Sequence, residues 1–333
     1  MTKSADKPPK PKNLLSGQNV FFAGIGWAVV ALLFFLLFSD TAPGEDTPLW
    51  YSIGTYILEA GAFLGAALLC YRNWLNPQIA SGRNVWLGVG LGMFCFFIGD
   101  LVFGVWELYF KLDPDVSPAD LFYMAFYVFL GWGMILAVMP RRLNLEVWQW
   151  ITVAVIAIAG IAFALLVALN DPASSESVEV ATPEPTEQVS PQPSPEQSSP
   201  GSPSPAAEPE PEKELPEWVA GTDRFLNQFA RPVSFFYIIA DVGLLVIATT
   251  LLLAFWGGRF SQSWRMIAFA TGFLYCADMW FKYAATLPTE YESGGLLEVF
   301  FVFSGTLFAI GAALEYDVSS SRSSRSRRRR GGG

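Results

Sequence analysis

Histidine is absent from this 333-residue chain. That excludes bis-histidine haem, histidine-ligated zinc and any mechanism in which imidazole activates a serine or cysteine. Cysteine is scarce. Cys70, Cys95 and Cys276 all fall within apolar stretches, so no disulfide framework is expected and the redox compartment is not readable from them. Charge is scarce too: 15% of residues are Asp, Glu, Lys or Arg against 52% apolar, which excludes an ordinary soluble domain. No glycine-rich phosphate loop or nucleophile–base pair appears, so the chain reads as non-enzymatic, and no motif identifies a cofactor.

What the sequence does have is long apolar runs. Stretches at about 19–38, 49–71, 85–107, 119–139, 148–169, 232–256, 264–284 and 295–315 can each cross a hydrocarbon core of about 30 Å at roughly 1.5 Å per residue. The expected fold is all-α, a polytopic membrane protein of about eight transmembrane helices. Trp50, Trp74, Trp86, Trp106, Trp148, Trp150, Trp256 and Trp264 fall near the ends of these stretches, as an interfacial aromatic belt would. Lys3, Lys7, Lys10 and Lys12 precede a full-length span without a small-residue cleavage site, so the first span is expected to be retained.

An even number of spans puts both termini on one side. That side collects the N-terminal lysines, Arg72 with Arg83, Arg141 with Arg142, Arg259 with Arg265, and the arginines of the tail. The other side collects Asp40, Glu45, Asp46, Asp113, Asp115, Glu290, Glu292 and an acidic linker. The positive-inside rule then places both termini in the cytoplasm. The net charge of −9 is mostly an outside property, and no nucleic-acid partner is expected.

Residues 1–18 read as a cytoplasmic tail, and 19–170 as a first four-helix repeat plus the first helix of a second. Residues 171–217, rich in Pro, Ser and Glu, bury too little to offset their ordering entropy and read as a disordered outside linker. Residues 218–231 regain Phe225, Leu226 and Phe229 and read as an interfacial segment, helix or loop. Residues 232–317 hold the remaining three helices of the second repeat. The Ser/Arg-rich end, 318–333, reads as a flexible cytoplasmic tail that either adheres to anionic lipid, with release by serine phosphorylation, or only anchors orientation.

The repeat is carried by spacing. Trp86 precedes Asp100 at the interval by which Trp264 precedes Asp278, and Gly99–Phe103 answers Ala277–Phe281. Asp100 precedes Asp120 as Asp278 precedes Glu298; Phe122 matches Phe300 and Gly133 matches Gly311 at the same offset. The second and sixth spans carry one acid each, Glu59 and Asp241, though the loops that follow them differ in length by four residues, and the first and fifth pair by elimination. An offset of four helices preserves direction, so the architecture reads as two parallel four-helix repeats.

Six acids are the candidate site: Glu59 with Asp100 and Asp120 in one half, Asp241 with Asp278 and Glu298 in the other. In the assigned topology all lie in the outer half of the membrane, bordering an outward-facing polar cavity. An intramembrane charge costs on the order of 3 kcal/mol on insertion scales, so such acids should face the interior, pair, or carry a proton. They suit binding of protons or of a metal cation such as Ca²⁺ or Mn²⁺, with the metal itself unknown.

Structural roles compete at every position. Ser117–Pro118–Ala119–Asp120 is a capping-box pattern, Gly295 could serve Glu298 likewise, and the deeper acids could bond Tyr, Trp, Ser or Thr across helices. Lys282, four residues after Asp278, either neutralises that acid or snorkels to the surface. Glu107 and Lys111 read as solvated, while Gly61 with Gly65 and Gly88 with Gly92 read as close-packing pairs.

The segment GDLVFGVWELYFKLDPDVSPADLFYMAFYVFLGWGMI, residues 99–135, resembles the multi-helix membrane sensor regions that precede diguanylate cyclase and phosphodiesterase domains in bacterial signalling proteins. The likeness rests on Gly99–Asp100, on Ser117–Asp120 and on the Tyr and Gly residues that follow, with a weaker version at 277–311. It implies a sensory or ligand-binding membrane module, here without a catalytic domain, in a bacterial cytoplasmic membrane or another internal membrane such as the thylakoid. A non-enzymatic sensor or scaffold is therefore expected, with a cation- or proton-coupled transporter as the alternative and the bilayer and other membrane proteins as partners.

Overall fold

The structure is a computed structural model that describes residues 15–39, 47–112, 114, 116–139, 145–169, 215–256, 261–284 and 293–330. The N-terminal lysines, most of the 171–217 linker, Arg141, Arg142, Arg259, and the loop acids Asp40, Glu45, Asp46, Asp113, Asp115, Glu290 and Glu292 lie outside the described residues.

The described residues form helices and no strand. They are α1 Gly17–Phe38, α2 Leu49–Leu75, α3 Arg83–Gly104, α4 Asp120–Val138, α5 Val147–Leu169, α6 Glu217–Asn227, α7 Ala230–Ala254, α8 Ser261–Ala284 and α9 Val299–Arg330. A wider π-helical turn, Val105–Tyr109, continues α3, and a tight turn, Leu296–Glu298, opens α9. Helix is the outcome the apolar runs require, because it satisfies every backbone N–H and C=O within one segment. Pro48 and Pro216 stand at helix N-caps, where a missing N–H costs nothing.

Seven of these helices are long and apolar enough to cross a membrane. Large apolar side chains on their outer faces, among them Leu37, Leu121, Ile158 and Ile239, are more than 65% exposed, a surface suited to lipid and costly in water. The chain is a multi-pass membrane protein. The expected span at 264–284 coincides with α8, but α8 is not among the seven, since Arg265, Asp278 and Lys282 lower its apolarity. The 218–231 segment is largely helical as α6, whose Trp218 packs edge-on against Trp106 and Phe110.

Contacts run in a closed circuit: α2 on α3, α3 on α4, α4 on α7, α7 on α8, α8 on α9, and α9 back on α2. Helix α1 leans on α9 from outside and α5 leans on α7. One apolar core spans all six ring helices, with Phe63, Trp86, Phe126, Leu251, Trp264 and Phe308 among its members. A smaller cluster of Ala31, Phe35, Leu58, Ala62, Val299 and Val302 ties α1 to the α2–α9 seam.

Glycine sets two of the crossings. A Cβ on Gly133 would lie 2.7 Å from the Val89 amide nitrogen and 2.9 Å from the Val85 carbonyl, so α4 rests directly on the α3 backbone. One on Gly311 would lie 2.9 Å from the Ile267 side chain and 3.1 Å from the Ser263 carbonyl, and the Ser263 hydroxyl donates to the Gly311 carbonyl at 2.8 Å. Gly88 and Gly92 close the α3–α4 contact as expected.

Three expectations are corrected. Gly65 faces open space, and Gly61 admits the Trp27 ring, whose indole N–H donates to the Leu58 carbonyl at 3.0 Å. Trp50, Trp148, Trp150 and Trp256 are exposed as a belt requires, but Trp86 and Trp264 are buried because ring closure turns them inward, and Trp106 is buried beneath Phe110 and Trp218. The tail expected to be flexible continues α9 as helix to Arg330; Arg is a good helix former, and positive charge suits a helix C-terminus.

Candidate functional site

All six acids stand where helices meet, and the fold regroups them. The expected sets shared a half; in the structure the third acid of each set stands on a helix that packs against the other set's first helix. Asp120, at the start of α4, accepts from the Tyr237 hydroxyl of α7 at 2.6 Å and so joins Asp241 and Asp278. Glu298, at the start of α9, lies within electrostatic range of Glu59 on α2, as do Asp100 and Asp278. The cause is ring closure: α4 packs on α7 and α9 packs on α2.

The two exchanged acids also cap. Asp120 accepts from the Ser117 backbone N–H at 2.7 Å and from the Ser117 hydroxyl at 3.2 Å, and that hydroxyl accepts from the Ala119 N–H at 3.2 Å. Glu298 accepts from the N–H groups of Gly294 and Gly295 at 2.8 and 3.2 Å, while the Tyr51 hydroxyl donates to the Gly294 carbonyl at 2.6 Å. Gly294 holds φ at 110°, which a residue with a Cβ rarely adopts. Capping is therefore satisfied at both positions, with Asp120 additionally reaching across helices.

In the second group, Tyr127 of α4 bridges two other helices. Its hydroxyl contacts Asp241 Oδ1 of α7 at 2.5 Å and Asp278 Oδ2 of α8 at 2.8 Å. A phenol has one proton to donate, so both contacts are hydrogen bonds only when one carboxyl carries its own proton. Lys282 Nζ lies 3.2 Å from Asp241 Oδ2 and 5.3 Å from the Tyr237 ring centroid. With one carboxyl protonated and the other paired to Lys282, the Asp241–Asp278–Lys282 trio carries no net charge, the cheapest state for buried charge. The expected partner of Lys282 was Asp278 on its own helix; the partner is Asp241, because Lys282 leans across the α7–α8 groove.

The first group is built differently. Asp100 is 2% exposed; its Oδ1 accepts from the Tyr123 hydroxyl at 3.1 Å, and its Oδ2 is buried without a hydrogen-bond partner. Glu59 lies within electrostatic range of Asp100 and is half-buried. Among the described residues no ion pair reaches either acid. Gly104 stands four residues after Asp100, where a Cβ would meet the Tyr56 ring at 3.4 Å, and Tyr56 donates to Glu107. Glu107, expected to be solvated, is half-buried and bonded because the π-helical turn swings it toward α2.

Among the described residues no three of His, Cys, Asp and Glu are grouped to hold a metal ion. The tyrosines that organise both groups were not singled out from sequence. Their signal is present: Tyr123 and Tyr127 are one turn apart in an otherwise apolar span, and a buried phenol needs a partner. Comparison with known protein families, with curated proteins and with solved structures gives no match to this chain.

Proposed function

We propose that this chain is a non-enzymatic membrane sensor or scaffold whose ligand, a proton or a cation, is taken up by Glu59 and Asp100. The observation that carries the reading is the buried Asp100 Oδ2, left without a partner beside a second acid while the Asp241–Asp278 pair has both a bridging phenol and an ammonium. An unsatisfied buried carboxylate oxygen costs on the order of 1–3 kcal/mol or more, and a ligand that satisfies it recovers that energy. The test is thermal unfolding of the purified protein in detergent across pH and across Na⁺, K⁺, Ca²⁺ and ammonium salts. The native protein should respond to at least one of these, and Asp100→Asn should lose that response. A response identical in the two proteins would remove the site.

A parallel duplication underlies this reading. Its support is that Gly133 meets Val85 and Val89 as Gly311 meets Ser263 and Ile267, every pair at the offset that relates Asp100 to Asp278. The α4–α7 and α9–α2 contacts are likewise equivalent under that exchange. Orientation rests on the Lys and Arg distribution, which puts both termini in the cytoplasm of an inner or other internal membrane.

A second reading, a cation- or proton-coupled transporter, is favoured by buried acids repeated in two parallel halves. Ion flux in proteoliposomes that disappears in Asp100→Asn plus Asp278→Asn distinguishes it from a sensor, which would bind without flux.

A further inference from the structure

We infer that the Glu59–Asp100 pair binds a small ammonium-class cation, the free counterpart of the Lys282 ammonium that occupies the Asp241–Asp278 pair. The inference rests on the acid-site and repeat readings above and names the ligand class.

The duplication maps Asp278 onto Asp100 and, four residues later, Lys282 onto Gly104. In the second pair the protein supplies its own cation: Lys282 Nζ sits 3.2 Å from Asp241 Oδ2, beside the Tyr237 ring. In the first pair the corresponding position has no side chain, an aromatic ring lies against it in Tyr56, and the acid oxygen aimed into the group, Asp100 Oδ2, has no partner. The acids persist and the tethered cation does not.

An ammonium nitrogen offers several N–H donors to acceptor-only carboxylates and is attracted to the face of an aromatic ring. A divalent metal demands more oxygen ligands than two carboxylates provide, and no third acid completes a metal cluster among the described residues.

The experiment uses the full chain in detergent with ammonium chloride and methylammonium chloride, against NaCl at equal ionic strength. Methylammonium or ammonium should raise the unfolding midpoint by about 2–4 °C beyond NaCl. The rise should vanish in Gly104→Lys, which tethers a cation where the second half has one, and in Glu59→Gln, which serves if Gly104→Lys does not fold. Conversely, Lys282→Ala should lower the midpoint and regain part of the loss in propylammonium. A response to ammonium but not methylammonium assigns the inorganic ion; a response to both assigns primary amines as well. No excess over NaCl, or an excess kept in both first-site variants, overturns the inference. If Asp100→Asn still removes a response to protons or Na⁺, the acid-site reading stands without it; if it removes none, both fall.

Discussion

Trp86 and Trp264 meet inside the ring with their centroids 6.2 Å apart and their planes tilted by 39°. Each begins a helix that carries a deep acid, and neither is solvent-exposed. Trp86 donates its indole N–H to the Ser81 hydroxyl at 2.7 Å, and Trp264 stacks on Phe255 at 5.1 Å. Truncating Trp264 to Ala should cost about 3–5 kcal/mol of stability. Trp50→Ala, at a site 54% exposed, should cost far less in the same denaturation series. Equal losses would show that the tryptophan contact is not part of the core.

Tyr127→Phe deletes the hydroxyl shared by Asp241 and Asp278 and should destabilise by about 1–3 kcal/mol. Asp278→Asn keeps a donor for Tyr127 and should cost less, with the two changes non-additive in a double-mutant cycle. Additivity within about 0.5 kcal/mol would mean the three side chains do not act as one network.

A methyl group separates the two classes of glycine. Gly133→Ala drives a Cβ onto the α3 backbone and should cost about 1–3 kcal/mol by overpacking. Gly65→Ala has open space around it and should be neutral or slightly stabilising, since alanine is the better helix former. Chemical denaturation of both variants reads the difference directly.

Reporter fusions test orientation. A periplasmic-type reporter should be active at residue 200 and a cytoplasmic one at the C-terminus. The reverse pattern would move the acids to the cytoplasmic half and leave their mutual contacts unchanged.

Much of this architecture was legible in the sequence. The apolar runs give helix positions because burial in lipid requires helices of that length, and the Ser117–Asp120 pattern names its own cap. Pairing between helices was not legible. Spacing says that Asp100 and Asp120 share a half, but only the seam of α4 against α7 reveals that Asp120 bonds Tyr237. Lys282 misled for the same reason: its nearest acid along the helix is Asp278, while its nearest acid in space is on another helix. Trp86 and Trp264 look interfacial by position and become core only when the circuit closes.

The closed circuit of helices also imposes an order in time. Chains are made N-terminus first. Every residue of the Lys282 cluster, from Asp120 and Tyr127 through Asp241 to Lys282 itself, has emerged once α8 is made. Glu59, Asp100 and Tyr123 are made earlier still, on α2 to α4, whereas Glu298 arrives only with α9, the helix that also joins α8 to α2 and receives the Gly17 N–H of α1 on Asp317 at 2.6 Å. The Glu59–Asp100 pair and the Lys282 site can both form while the ring is open; α9 then sets Glu298 near Glu59 and shuts it.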